Sequence, residues 1–426
     1  MKTPVIDIKK NNRYSFTDAM STDQYSHRKS GITVRIMNGD RPAADRPVKI
    51  RQTGHEFLFG VGGFDAVAMM GDMPDAEHKA FLQERLDRLF SVMNYATLPF
   101  YLGRYEPSEG NPDEARTIAA AKYFCSRGVQ VKGHPLVWHT VCADWLMRYS
   151  NKEILEKLRR RIERELTHYK GLIEIWDLIN EVVIMPVFDK YDNAVTRVCK
   201  EIGRVSMVRE VFTAARAANP SAVLLLNDFD LSAQYEILID GCLQAGIPID
   251  VIGIQSHQHQ GYWGAEKTRE ILERYSQFGL PIHFTENTII SGDIMPGHIV
   301  DLNDWQVDSW PSTPEGEERQ ARETAEMYSI LFAHPLVEAI TAWNAVDGGW
   351  LKAPAGLLRE DNSVKPVFAE LEKKIKGEWK SEADLASGAS GELYFEGFRG
   401  SYEIECDNKK TAFTLDKKGG TVTVYV

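Results

Sequence analysis

The chain has 426 residues, 43% hydrophobic and 26% charged, the balance of an ordinary globular protein. A formal net charge of −11 argues against nucleic acid or an anionic membrane as partner, since both select basic surfaces. No stretch approaches the ~18 uninterrupted apolar residues of a membrane span, and five scattered cysteines without CxxC spacing exclude a disulfide framework and a zinc cluster.

The opening residues, MKTPVIDIKK, lack the apolar core of a secretory leader, which leaves two expectations: a cytoplasmic chain, or an exported one whose leader was trimmed. Ile32, Val34 and Ile36 then alternate with polar residues up to a turn signal at Asn38-Gly39-Asp40, and Val48 and Ile50 follow. Beyond them, apolar runs at 57–61, 90–95, 129–133, 173–179, 222–226, 251–254, 281–284 and 339–342 read as strands. Amphipathic helical patterns separate them at 75–89, 113–126, 151–169, 197–218, 231–245, 264–278 and 314–332, and a last one spans 364–375. Eight alternations of strand and helix predict an α/β fold, a (β/α)8 TIM barrel. A doubly wound open sheet would want a phosphate-binding turn after the first strand, and Gly60-Val61-Gly62-Gly63 does not fit GxGxxG.

Period-two patterns return at Tyr402-Ile404-Cys406, Phe413-Leu415 and Val422-Val424-Val426. Neither chain end is large enough to stand alone, so the two are expected to form one small accessory β-sandwich. The expected division is 1–50 for its N-terminal strands, 51–378 for the catalytic barrel, and 379–426 for a connector, at 380–391, with the C-terminal strands.

Barrel enzymes assemble their chemistry at the C-terminal rim of the strands. Here the third run delivers His134, the fourth Asn180-Glu181, the fifth Asn227-Asp228, the sixth Gln255 and His257, the seventh Glu286, and the eighth Trp343 and Asn344. WDLINE (176–181) and HFTE (283–286) each end an apolar run in a glutamate. Two carboxylates facing each other across one closed sheet are the minimal equipment for breaking a glycosidic bond. Glu181 then serves as the proton donor, its proton held by the nearby charge of Glu286. Rim glutamates in structural ion pairs are the alternative. Asn180 is placed to bond a sugar hydroxyl, His257 to orient Glu286, and Gln255 to reach either carboxylate. His134, Trp138 and His139 lie in GHPLVWH, and Trp343 and Trp350 in AWNAVDGGW, where aromatic faces suit pyranose rings. Trp263, Trp305 and Trp310 lie in long loops as candidates for outer subsites. A metal site built on His257 and His259 with His134 and His139 is a rival, but the pairs follow different strands without a bridging carboxylate. No metal or cofactor is expected.

In the order GHPLVWHT, WDLINE, GIQSH, TEN and AWNAVDGGW, over about residues 50–378, the chain resembles glycoside hydrolase family 10, the retaining endo-β-1,4-xylanases. RQTGHEFLFG and LYFEGFRGSY resemble the accessory sheet of some members. The resemblance implies Glu181 as acid/base, Glu286 as nucleophile, and His134, Trp138, Asn180, Gln255, His257 and Trp343 around the scissile sugar. It implies a plant-type β-glycan, xylan or a decorated xylan, as partner. Two departures stand out. After the second strand the family's Glu-Asn and following Lys, which bind sugars on the non-reducing side, are replaced by Thr97-Leu98 and Tyr101 in TLPFYLGRYEP. The nucleophile is followed by Asn287-Thr288, where an Asp two residues on is usual. An apolar, aromatic surface at Tyr101 suits a substituted or differently linked chain. The competing readings are a retaining barrel glycosidase acting on β-glucan or mannan, and an inactive barrel that only binds glycans.

Overall fold

The computed structural model describes residues 23–71 and 75–426, so the reading of a leader, and the first part of the expected N-terminal segment, lie outside the described residues. Eight parallel strands close into a barrel: Leu58–Gly62, Tyr95–Pro99, Gln130–His134, Ile175–Asn180, Val223–Asp228, Val251–Gln258, Ile282–Ile289 and Val337–Ala342. The expected (β/α)8 architecture is the one found. Every residue of Ile175–Asn180 and of Ile282–Ile289 is buried, which is why these strands read as continuous apolar runs rather than alternating ones. Among the described residues no helix is long and apolar enough to cross a membrane.

Several elements differ from expectation, and the sixth and seventh strands run on to Gln258 and Ile289, so His257 and Glu286 lie within them. The second strand starts at Tyr95, not at 90: Leu82, Leu86 and Leu89 bury one helical face, so Phe90 completes the helix Ala76–Phe90. The pattern at 197–218 is two helices, Ala194–Ile202 and Arg204–Ala218, broken at Gly203, whose φ of +81° favours glycine. The last helix, Pro366–Lys373, runs on into a π turn at Lys374–Glu378 that delivers Trp379 into the core.

The helix Asn151–His168 positions part of the rim. A capping box between Ser150 and Glu153 starts it, and it buries Ile154, Leu158, Ile162 and Leu166. Its buried Arg161 guanidinium donates to the carbonyls of Leu136 and Phe100. Those carbonyls follow the third and second strands, so one side chain fixes the loops carrying Trp138 and Tyr101.

Strands from both chain ends form two facing four-stranded sheets. One contains Lys29–Asn38, Arg41–Pro42, Glu392–Phe398 and Gly420–Tyr425; the other contains Pro47–His55, Glu382–Ala386, Gly400–Cys406 and Lys409–Leu415. Ile32, Val34, Ile36, Val48, Ile50, Tyr402, Ile404 and Val424 share one core, as their alternation requires. The segment expected as a connector is partly a strand: Glu382–Ala386 pairs antiparallel with Pro47–His55, so these residues complete the sheet rather than span a gap. The sandwich sits at the N-terminal end of the barrel. Arg28 donates to the carbonyls of Phe332 (2.9 Å), His334 (2.6 Å) and Val337 (2.5 Å), at the entry to the eighth strand, and Trp379 stacks on Phe332 and Phe59 nearby.

Candidate active site

Both rim glutamates follow a break in strand register. Pairing shifts between Asp177 and Ile179 on the fourth strand and between Phe284 and Glu286 on the seventh. Irregularities of this kind re-aim side chains beside active sites. Glu181 has a φ of +58°, a left-handed conformation that costs a residue with a Cβ and persists only where the surroundings hold it. Its N–H donates to the Asn227 carbonyl at 2.9 Å, and the Val183 N–H donates to the buried Asp228 carboxylate at 3.0 Å.

The half-buried Glu181 carboxylate accepts from Trp138 Nε1 at 2.8 Å on Oε2, and from Asn180 Nδ2 and Gln255 Nε2, each at 3.1 Å, on Oε1. Burial first, and the charge of Glu286 second, push its carboxyl up to about 8, against weaker pulls from the Trp138 and Gln255 hydrogen bonds. Glu286 is only 4% exposed. Its Oε1 accepts from Asn227 Nδ2 at 2.9 Å and lies 3.8 Å from His134 Nε2, while Oε2 lies 3.2 Å from His257 Nε2. Burial alone would raise this carboxyl, but His134, His257 and Lys132 outweigh it and hold it below the ordinary range.

The two carboxylates are joined by amides. Asn227 Nδ2 also donates to Asn180 Oδ1 at 2.7 Å, Gln255 Nε2 to the same oxygen at 3.1 Å, and Thr285 Oγ1 to Asn227 Oδ1 at 2.7 Å. Behind them the fully buried Asp177 contacts His134 Nδ1 at 2.7 Å and Lys132 Nζ at 2.6 Å.

Aromatic rings surround this network. Tyr101 lies 5.6 Å from both His134 and Trp138, ring centre to ring centre. Phe64 and His134 meet Trp343 at 5.5 and 5.0 Å, and Trp350 meets His257 at 4.6 Å. Glu181, Glu286, His134, Trp138, Asn180, Gln255, His257, Trp343, Trp350 and Tyr101 thus share one contact network.

Other expected residues lie at or beyond its edge, with His139 6.2 Å from Trp138 and Trp310 5.9 Å from His259, ring centre to ring centre. Trp310 is buried in a small loop core with Ile290 and Met295, against which Trp305 packs, so these rings hold the loop together. Trp263 precedes a helix, its N–H donating to Gln258 Oε1 at 2.8 Å. His139 packs on Phe188 at 4.6 Å, and burial lowers its pKa to about 4. Among the described residues no group of three or more His, Cys, Asp or Glu is arranged to hold a metal ion. Sequence reasoning passed over Lys132, Asp177 and Thr285, and gave Asn227 no role. Charged residues inside an apolar run, Lys132 in VKGH and Asp177 in WDLINE, were the available signal, because a buried charge demands a partner.

A closed barrel with two unlike carboxyls on its C-terminal rim has the layout of a barrel glycosidase. Known proteins agree. The family model described as glycosyl hydrolase family 10 matches residues 101–373, and the chain belongs to that family. The endo-1,4-beta-xylanase of Geobacillus stearothermophilus is 28% identical over 266 residues, covering 58% of this chain and 77% of the relative. Endo-1,4-beta-xylanase 2 of Arabidopsis thaliana is 25% identical over 396 residues, covering 89% of this chain but 33% of the relative. Among solved structures, xylanase 10B of Thermotoga petrophila in complex with xylobiose superposes with a TM-score of 0.59 at 22% identity, over 75% of this chain and 95% of that one. Native xylanase 10B of Thermotoga maritima gives 0.58 at 22% identity, over 75% and 96%. At such identity the structural likeness speaks for the fold.

Proposed function

We propose that the protein hydrolyses internal β-1,4 linkages of xylan with retention of configuration, Glu286 acting as nucleophile and Glu181 as acid/base. The observation that carries this is the opposed electrostatic setting of two like groups. One carboxyl is pushed up to about 8 while its neighbour is held below the ordinary carboxylate range. The protein groups recorded on the Glu181 oxygens, Trp138, Asn180 and Gln255, are all donors, so its own proton is free for the glycosidic oxygen. In the first step Glu286 attacks the anomeric carbon, the C–O bond breaks, and Glu181 protonates the departing sugar. The ester then neutralises Glu286, which removes one of the causes that raise the Glu181 pKa, and Glu181 takes a proton from water as it attacks. Direct attack of this kind asks for carboxyls roughly 5 Å apart. The name endo-1,4-beta-xylanase, carried by relatives, supports xylan as substrate class.

Tyr101, packed between His134 and Trp138, favours a decorated xylan, because a ring replaces the charged and amide groups that elsewhere bind plain sugars. Product analysis on arabinoxylan and glucuronoxylan side by side, with proton NMR of the first products, tests both levels. β-Anomers released from xylan support the reading. α-Anomers, or hydrolysis of β-glucan or mannan alone, overturn it. Equal turnover of plain and branched xylo-oligosaccharides counts against the decorated substrate.

A further inference from the structure

Three groups behind Glu286 share a small number of protons. Thr288 Oγ1 accepts the Gln258 N–H at 3.2 Å and lies 3.4 Å from Nδ1 of His257 and 3.4 Å from Nδ1 of His259. A hydroxyl has one hydrogen, so it donates to only one of those rings. His257 Nε2 faces Glu286 Oε2 at 3.2 Å, and an ionised carboxylate only accepts, so that nitrogen carries a hydrogen. In an uncharged His257 ring, Nδ1 is bare and takes the Thr288 hydrogen. His259 then donates from its Nδ1 to Thr288 Oγ1, which leaves its buried, partnerless Nε2 bare.

A charged His257 would break this arrangement. Its Nδ1–H would need Thr288 Oγ1 as acceptor, and the Thr288 hydrogen would turn to His259. That ring, whose burial holds it uncharged down to a pKa of about 3, would have to move its hydrogen to Nε2, where no acceptor exists. A buried donor without a partner is costly. The titratable groups facing His257 are Glu286 on the seventh strand and His259 on its own strand. The segment after the eighth strand presents Trp343 and Trp350, at 6.2 and 4.6 Å, which do not titrate.

We propose that Thr288 is a positioning residue whose hydroxyl fixes His257 as the uncharged Nε2–H tautomer, so that an uncharged ring donates the hydrogen bond to Glu286. The kinetic consequence rests on Glu286 being the nucleophile; the tautomer does not.

Long-range proton–nitrogen NMR on histidine-labelled protein tests this, with His257→Gln and His259→Gln identifying the two rings. At pH 7, His257 is expected to show a protonated Nε2 and a bare Nδ1, and His259 the reverse. Thr288→Ser should keep both patterns. Thr288→Val should give mixed tautomers at His257 and an about fivefold loss in kcat with KM unchanged, the rate equivalent of one net hydrogen bond. Thr288→Asp, which sets an acceptor against Nδ1, should give a His257 spectrum with hydrogens on both ring nitrogens. A doubly protonated His257 in the unaltered protein, or a Thr288→Val spectrum identical to the parent's, overturns the proposal. A protein with the expected tautomers and no action on xylan defeats the functional reading and leaves this one standing.

Discussion

Glu181 and Glu286 carry the same functional group a few atoms of amide apart, and pH separates the roles proposed for them. In the proposed mechanism kcat/KM should fall above about pH 8, where Glu181 loses its proton, and on the acid side only below the ordinary glutamate range, where Glu286 gains one. A pH–rate profile on soluble xylo-oligosaccharides measures both limbs. The same raised pKa costs stability. Between the unfolded value near 4.5 and the folded value of about 8 the native state binds the extra proton, so the contribution of Glu181 is present at low pH and lost as pH rises through 8. Glu181→Gln should therefore raise the melting temperature at pH 9 and leave it nearly unchanged at pH 4. It should also cost about 10²- to 10⁴-fold on xylan and much less on activated aryl glycosides, whose leaving groups need little protonation. Tyr101→Ala should alter kcat/KM on branched and unbranched oligosaccharides by unequal factors, about tenfold apart, and equal factors would remove Tyr101 from substrate selection. The two glutamates were legible in the sequence because each ends an apolar run. Asp177 and Lys132 were not assigned, because pattern reading treats a charge within a run as an interruption, whereas here the charges pair with each other and with His134 in the interior.

The strands and helices deliver these groups through a few fixed joints. Arg161, reaching from its helix to the carbonyls after the second and third strands, ties Tyr101 and Trp138 to one scaffold. Arg161→Ala should lower stability by about 2–4 kcal/mol, since it orphans two buried carbonyls, and should lower kcat as the Trp138 loop loosens; urea unfolding and steady-state kinetics read the two effects. Periodicity located every barrel strand, yet it misplaced the second by several residues and joined two helices into one. Phe90 is apolar in either element, and only the burial of Leu82, Leu86 and Leu89 on one face assigns it to the helix. Gly203 sits in a helical pattern that a single residue with φ of +81° interrupts without changing its polarity. The strand at Glu382–Ala386 was missed because its residues are mostly exposed, so the alternation that marks a half-buried strand never develops.

For the whole molecule, chemistry and architecture occupy opposite ends of the barrel. The sandwich grips the base through Arg28, whose three carbonyl partners lie just before the eighth strand and at its first residue, far from the rim that strand leads to. Arg28→Ala should cost roughly 2–4 kcal/mol in chemical unfolding while leaving kcat at 25 °C unchanged, and a comparable fall in kcat would show that the base and the rim communicate. Lys29–Asn38 lies between Glu392–Phe398 on one side and Gly420–Tyr425, in parallel, on the other. During synthesis that ribbon leaves the ribosome ahead of the barrel and waits for all eight barrel strands to follow before Glu392–Phe398 or Gly420–Tyr425 can pair with it. Until then it offers two naked edges to other nascent chains, so premature termination anywhere in the barrel should yield an aggregation-prone product rather than a smaller working domain.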